Sequence, residues 1–224
     1  MPYPTAARRR MAILAACLLG PSVLAGCGSS VADSTALAGE GRPGPYPGTI
    51  TLSSEPPGAS CVLTNTATQA VIGTVTTPAQ VALPRSTAIV EARCTAVGRM
   101  DTVAMLRPVR DFAPDIHHPQ PTGPTAVIQV ADAVRTGRTR RYIDTTVAMP
   151  PARFASAQAR DAWFADRAEA IRAAAAPGIA RAGRSPAATI DTAEILQGYL
   201  ADDLARLDQQ KAASTIEGGS PRRG

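Results

Sequence analysis

The chain has 224 residues and a formal net charge of +5, and its 20 prolines and 18 glycines stand beside only 4% aromatic residues. This length accommodates one ordinary domain with extensions and excludes several large domains. The proline and glycine content favours a modest core with long irregular connections, and the scarcity of aromatics argues against a sugar-cleaving cleft.

The first 26 residues have the pattern of an export signal. Residues 8–10 are arginines, and the apolar run at 11–19 has the length of a signal core but is too short to span a bilayer. Residues 23–27 (VLAGC) then resemble the lipobox of bacterial lipoproteins. That resemblance implies cleavage before Cys27 and attachment of a diacylglycerol to its thiol. The alternative is a plain signal peptide in which Cys27 is incidental.

Loss of this signal leaves 20 basic and 18 acidic residues, a net charge of +2. No dense basic face then remains, which argues against a nucleic-acid partner. Gly28, rather than Asp, after the cysteine favours the outer membrane, facing the periplasm, over the inner membrane. Residues 27–48 are rich in Gly, Ser, Ala and Pro and predict a flexible, lipid-anchored tether with a reach of roughly 25 Å.

The cysteines predict one disulfide. With Cys17 in the signal and Cys27 lipidated, Cys61 and Cys94 are the only pair left in an oxidising, exported context. Such a bridge would stabilise the domain by about 3.7 kcal/mol in the chain-entropy treatment. The alternative is two buried free thiols. The pair lacks CxxC spacing and only the histidines at 117–118 could supplement it, so no metal site is predicted.

Residues 49–108 show the pattern of short strands and turns. Both Cys61 and Cys94 lie on the more apolar face of their strands, where they could meet across a sheet or between two sheets. The prolines at 56–57 and Gly58 predict a turn in which Gly58 has a positive φ. Thr77, which precedes a proline, is expected to begin an extended segment.

One motif resembles the signature of the PEGA-type domain. It begins with Ser54-Glu55-Pro56-Pro57-Gly58-Ala59-Ser60-Cys61 and continues with Gly73 and Thr77-Pro78, then Leu83-Pro84 and Gly98. That family is a small β-sandwich, and the resemblance covers about 60 residues. The chain departs from it in a stretched second motif, in Cys61 at an aliphatic position and in Arg99 at the closing tyrosine. The resemblance implies envelope or surface-layer association and brings no catalytic residues. The alternative is an immunoglobulin-like or other small β-domain.

Residues 102–106 predict a further strand, and residues 108–124 a proline-rich loop that contains the histidines at 117–118. Segments 126–130 and 142–149 look like strands of a hairpin that extends the sandwich. Four arginines cluster at the turn of this hairpin: Arg135, Arg138, Arg140 and Arg141. They are candidate contacts for phosphates or acidic glycans, and the alternative is a solvated hairpin tip.

The last third of the chain has a helical period. Ser156 is expected to cap a helix that runs to about residue 176 and ends at the Pro-Gly pair 177–178. A capping box of Asp191 and Glu194 predicts a second helix to about residue 211. Residues 151–212 therefore predict an antiparallel helical hairpin, followed by a disordered tail at 213–224. Its apolar stripes either pack within the protein or form a partner interface.

These observations predict an α+β fold: a small disulfide-linked β-sandwich with an added hairpin at 49–150, then the helical hairpin. Nucleophilic catalysis needs a base beside the nucleophile, and the only two histidines lie in a loop. We therefore expect a non-enzymatic, lipid-anchored protein of the cell envelope, without catalytic residues, metal or cofactor. It would act as a structural or interaction module for an envelope protein or the cell wall. The alternative is a module that binds peptidoglycan or surface glycan.

Overall fold

The computed structural model describes residues 35–114, 116, 124–185 and 191–217. Within them the protein is mixed α+β, with several sheets, a C-terminal helical region and one disulfide. The predicted signal, Cys27, the histidines at 117–118 and residues 218–224 lie outside the described residues.

The described strands are, in chain order, β1 (Thr49–Glu55), β2 (Ser60–Asn65), β3 (Val71–Thr76), β4 (Ala79–Ala82), β5 (Val90–Thr95), β6 (Thr102–Leu106), β7 (Val109–Arg110), β8 (Arg140–Arg141), β9 (Thr145–Ala148), β10 (Arg153–Phe154) and β11 (Thr215–Ile216). The helices are α1 (Pro124–Thr136), α2 (Ala157–Gly183) and α3 (Ala193–Ala213), and residues 35–37 form a further helical turn.

Two larger sheets carry most of the β structure. One has the order β3-β2-β5-β6 and is antiparallel throughout. The other has the order β4-β1-β9, in which β1 pairs antiparallel with β4 and parallel with β9. Alternate residues of β1 and β5 are buried, as the two-residue period of a strand with one covered face requires.

The main core combines the inward residues of both sheets. Its buried members include Ile50, Leu52, Cys61, Leu63, Val81, Val90, Ala92, Cys94, Leu106 and Val147. Small and branched residues dominate this set, and Tyr142 is its one buried aromatic residue. In keeping with the low aromatic content, aliphatic side chains fill most of this core.

The predicted disulfide is confirmed. Cys61 and Cys94 lie directly opposite each other in the β2–β5 register, with their Cα atoms 4.0 Å apart, and they are bonded. Both residues are fully buried. Of the two arrangements left open by the sequence, the bridge thus joins neighbouring strands of one sheet.

The turn between β1 and β2 also forms as predicted. Gly58 has φ = +91°, which favours glycine, and its N–H donates to the Thr77 carbonyl over 2.8 Å. The Thr77 hydroxyl accepts from the Ala59 N–H at 3.0 Å. The peptide bonds before Pro56 and Pro78 are both cis. β4 follows Pro78, so the predicted extended segment is confirmed.

The strand expected at 126–130 is wrong, because this segment belongs to helix α1. Pro124 occupies the first helical position, and Gly137 with φ = +72° follows the last, an arrangement that suits helix ends. The β-branched Val127 and Ile128 suggested a strand, but they lower helix propensity by only a few tenths of a kcal/mol, roughly. Both are exposed on the helix.

The predicted hairpin is therefore wrong as well. A strand does occur within 142–149, but it is β9, and it pairs parallel with β1. β8 pairs antiparallel with β7 instead. In chain order, helix α1 and β8 lie between β7 and β9.

The C-terminal helices form and pack against each other, with the expected ends partly corrected. Ser156 caps α2, because its hydroxyl accepts from Ala159 N–H at 3.1 Å. The helix does not end at 176 but continues through Pro177 to Gly183. Pro177 is exposed, so its ring points to solvent and one backbone hydrogen bond is lost. The contact of α3 with this last turn, where Leu196 lies beside Gly178, holds the helix together beyond the proline.

The cap of α3 and the start of the tail also differ from expectation. Thr192, not Asp191, caps α3, since the Thr192 hydroxyl accepts from Ile195 N–H at 3.2 Å. The helix ends at Ala213, and β11 then pairs parallel with β10. Residues 213–217 are therefore ordered rather than part of a disordered tail.

Residues 35–48 of the predicted tether are bound to the folded body. Ala36 and Leu37 are buried, and Glu40 forms ion pairs of 2.7 and 2.9 Å with Arg181 and Arg184 at the end of α2. The Tyr46 hydroxyl donates to the Leu83 carbonyl at 2.6 Å. The prediction of a free tether is thus wrong from residue 35 onward.

We expect reduction of the disulfide to lower the free energy of unfolding by about 3.7 kcal/mol, because the closed loop no longer restricts the unfolded chain. The measurement is urea unfolding of the protein from residue 28 onward, oxidised and after reduction with alkylation of Cys61 and Cys94. Equal midpoints in the two states would contradict this expectation.

Candidate functional site

A buried carboxylate organises the region where the β structure meets the later elements. Asp111 is fully buried directly after β7 and forms ion pairs with Arg85 and, at 3.5 Å, with Arg141. Its Oδ1 also accepts from Ala113 N–H at 2.9 Å, and its own N–H donates to the Thr139 carbonyl at 2.9 Å. The two arginines compensate the charge that burial would otherwise penalise.

Two tyrosines extend this network. The guanidinium groups of Arg85 and Arg141 lie 5.3 and 5.4 Å from the centre of the Tyr46 ring. The Tyr142 hydroxyl donates to the Ala88 carbonyl at 2.6 Å and shares a 2.8 Å hydrogen bond with the Ser86 hydroxyl. Burial raises the pKa of both Tyr46 and Tyr142, because desolvation disfavours the phenolate.

The four arginines proposed as an anionic contact are divided between two places. Arg135 and Arg138 are exposed on and after α1, and both bind the carboxylate of Asp132. Arg140 and Arg141 are largely buried and bind Asp191 and Asp111 respectively. They do not form one hairpin tip, since no hairpin exists there. Their charges are taken up by carboxylates of the protein itself.

Ion pairs fasten the helical pair to the β structure. Arg107, just after β6, binds Asp203 of α3 through both guanidinium nitrogens at 2.8 and 3.0 Å, and it stacks on Tyr199 with a 4.6 Å centroid distance. Asp191 binds Arg140 at 2.9 Å and accepts from Arg110 N–H at 2.8 Å. Sequence patterns gave no signal for these long-range pairs, and Asp191 was expected to cap a helix instead.

Between the β structure and the helices lies a cleft with a volume of about 390 Å³. One wall comes from β6, β7 and the segment leading into β9, and the facing walls come from α2 and α3. Its apolar lining includes Ala36, Met105, Phe112, Ile143, Ala170, Ile171, Ala174, Ala175, Leu196 and Leu200. The size is that of a small-molecule site, about 300–1,000 Å³. This cleft is the candidate functional site.

The cleft has more cations than carboxylates. Its charged lining residues are four arginines and two aspartates: Arg107, Arg110, Arg167, Arg181, Asp191 and Asp203. Arg107 pairs with Asp203 and Arg181 with Glu40, and Arg110 lies over the Phe112 ring. Among the described residues, Arg167 makes no hydrogen bond or ion pair. Within the described ranges, no carboxylate therefore lies within ion-pair distance of its guanidinium.

Comparison of the chain with protein-family models, with curated proteins and with solved structures finds no match. No helix within the described ranges is long and apolar enough to cross a membrane. In that same part of the chain, no group of three or more His, Cys, Asp or Glu side chains is arranged to hold a metal ion.

Replacement of Asp111 should destabilise the protein strongly. Asp111→Ala leaves Arg85 and Arg141 without their buried counter-charge, and we expect a loss of about 3 kcal/mol in the free energy of unfolding. The matched control is Asp132→Ala, which removes an exposed carboxylate that also binds two arginines and should cost less than about 1 kcal/mol. Urea unfolding measures both; similar losses in the two variants would contradict the assigned role of Asp111.

The buried tyrosines predict a loss of stability at alkaline pH. Because their pKa is raised in the folded state, the stabilisation is present below the ordinary tyrosine pKa of about 10 and is lost as the pH rises through the folded-state pKa. The chain has a single lysine, so few other groups titrate there. We expect the unfolding free energy of Tyr142→Phe to fall less steeply above about pH 10 than that of the unaltered protein. Identical slopes would refute a contribution from Tyr142.

Proposed function

We propose that the protein is a lipid-anchored, non-enzymatic component of the bacterial cell envelope whose folded body serves as a structural or interaction module. The sequence supports this through the order of its basic start, apolar run and VLAGC motif within residues 8–27. The structural observation that carries the proposal is the disulfide between Cys61 and Cys94. A structural disulfide is typical of an exported protein and rare in a reducing cytosol.

We also propose that residues 49–108 form a small sandwich of the PEGA type. The support is local, since the residues that carry the resemblance interact with one another. Ser54 donates to the Pro56 carbonyl at 2.6 Å, and Thr77 bonds Ala59 through both side chain and backbone. Gly58 has the positive φ that the motif glycine needs. The two halves of the motif therefore build one closed turn at the edge of the core.

The helical pair gives the proposed module its binding surface. The pairs Arg107–Asp203 and Arg140–Asp191 fix α3 and its start to the β structure. The cleft is lined by both parts, so neither part alone would form it. A body of this kind suits recognition better than chemistry, because its walls are apolar and its carboxylates are engaged in ion pairs.

Lipid attachment is tested by expressing the full chain in a bacterium fed an alkyne-tagged fatty acid. We expect label and membrane association for the unaltered protein and for Cys17→Ser, because residue 17 is removed with the signal. Cys27→Ser should lose the label and retain residues 1–26, since the thioether cannot form. Undiminished labelling of Cys27→Ser would overturn the proposed anchor.

The partner class is tested separately on isolated cell walls. The protein from residue 28 onward should remain in solution if its partner is an envelope protein. Saturable retention on purified peptidoglycan would instead support the alternative of a glycan-binding module.

A further inference from the structure

The α2 wall of the cleft contains a row of small residues. Ala170, Ala174 and Gly178 line it at intervals of four residues, which places them on one face of the helix. Arg167 and Arg181 lie on the same face at either end of this row. The helix advances about 21 Å between these two arginines, by its rise of about 1.5 Å per residue. The small residues thus leave an elongated apolar trough between two cations.

The opposite wall offers apolar side chains along the trough. Met105 and Ile143 come from the β structure, and Leu196 and Leu200 come from α3. Ile143 is 55% exposed although it lies in this cleft, so apolar surface there faces solvent. Covering such surface is favourable by roughly 25 cal/mol per Å². A ligand with an alkyl chain would gain this free energy along the whole length of the trough.

The two ends of the trough are not equivalent. At the Arg181 end, Glu40 neutralises the guanidinium, and the bound N-terminal segment contributes Ala36 to the lining. At the other end, Arg107 is neutralised by Asp203, whereas Arg167 makes no ion pair within the described part of the chain. A guanidinium presents a planar fork that matches a carboxylate or phosphate. The charge pattern therefore complements an anion at the Arg167 end and an apolar chain beyond it.

We propose that this cleft binds a single-chain amphiphile with an anionic headgroup, its alkyl chain along the alanine face of α2 and its headgroup on Arg167. An extended peptide fits less well, because its amides would lie against apolar walls without hydrogen-bond partners. The proposal concerns residues 36–203 and does not depend on lipid attachment at Cys27.

The test uses the protein from residue 28 onward, which retains every described residue. Dodecyl phosphate, kept below its micelle concentration, is titrated into the protein by isothermal titration calorimetry. We expect saturable binding of one molecule, about tenfold weaker binding of the uncharged dodecyl maltoside, and no binding of inorganic phosphate. Absence of saturable dodecyl phosphate binding would overturn the proposal, and so would equal binding of the two detergents.

Two pairs of matched variants locate the site. Ala174→Trp fills the trough and should abolish binding, whereas Ala173→Trp, at an exposed position of α2 outside the cleft, should leave it unchanged. Arg167→Gln should weaken dodecyl phosphate about tenfold without affecting dodecyl maltoside, and Arg172→Gln should alter neither. Unchanged urea midpoints establish that each variant folds.

Other occupants give different results. If Ala174→Trp and Ala173→Trp reduce binding equally, the ligand lies elsewhere and the proposal fails. If dodecyl phosphate does not bind and Ala174→Trp instead changes the mass of the protein in solution, the cleft is an interface with a second copy. Either outcome overturns the assignment to an amphiphile.

Discussion

The carboxylate of Asp111 carries a full negative charge into a part of the protein that water does not reach. A buried charge of this kind is tolerated only where its counter-ions are held in place. Arg85 comes from the connection between β4 and β5, and Arg141 comes from β8, after α1. Both arginines also lie over Tyr46 in the N-terminal segment. Segments that are distant in sequence therefore meet at one point because a single carboxylate requires it.

The same chemistry fastens the remaining elements. Of the 23 basic residues, all but Lys211 are arginines. Arginine can bind a carboxylate through two nitrogens and stack on an aromatic ring at once, as Arg107 does with Asp203 and Tyr199. With few large apolar side chains to bury, the protein joins its sheets to its helices through such pairs. The cleft between the sheets and the helices stays open because ion pairs fix its two walls at their ends without filling the volume between the walls.

Features that depend on neighbouring residues could be predicted from the sequence. The glycine turn at 58, the Ser156 cap and the alternating faces of β2 and β5 follow from local sterics and periodicity. The disulfide followed from cysteine parity. The features that could not be predicted are non-local. The parallel pairing of β9 with β1 and the partner of Asp191 depend on chain segments that approach only after folding.

The candidate site illustrates the same division. The apolar stripes of the two C-terminal helices were evident from helical spacing, and Ile171, Leu196 and Leu200 lie on these helices. That these residues face β6 across an open cleft was not evident, because its walls come from five stretches of chain. No local sequence pattern predicts the ion pair between Arg107 and Asp203. The bound segment at 35–48 was missed because small and polar residues there have no apolar period, although its contacts are made by single side chains such as Tyr46.

That bound segment changes the distance at which the protein would stand from a membrane. A free tether of residues 27–48 could extend over about 70 Å, whereas the chain from Cys27 to residue 35 spans at most about 28 Å. If Cys27 is lipidated as proposed, the folded body is confined to a layer next to the bilayer surface. Ala36, which lines the cleft, directly follows this short segment of residues 27–35. The cleft would then meet molecules that enter or leave the lipid before it meets those dissolved in the surrounding compartment.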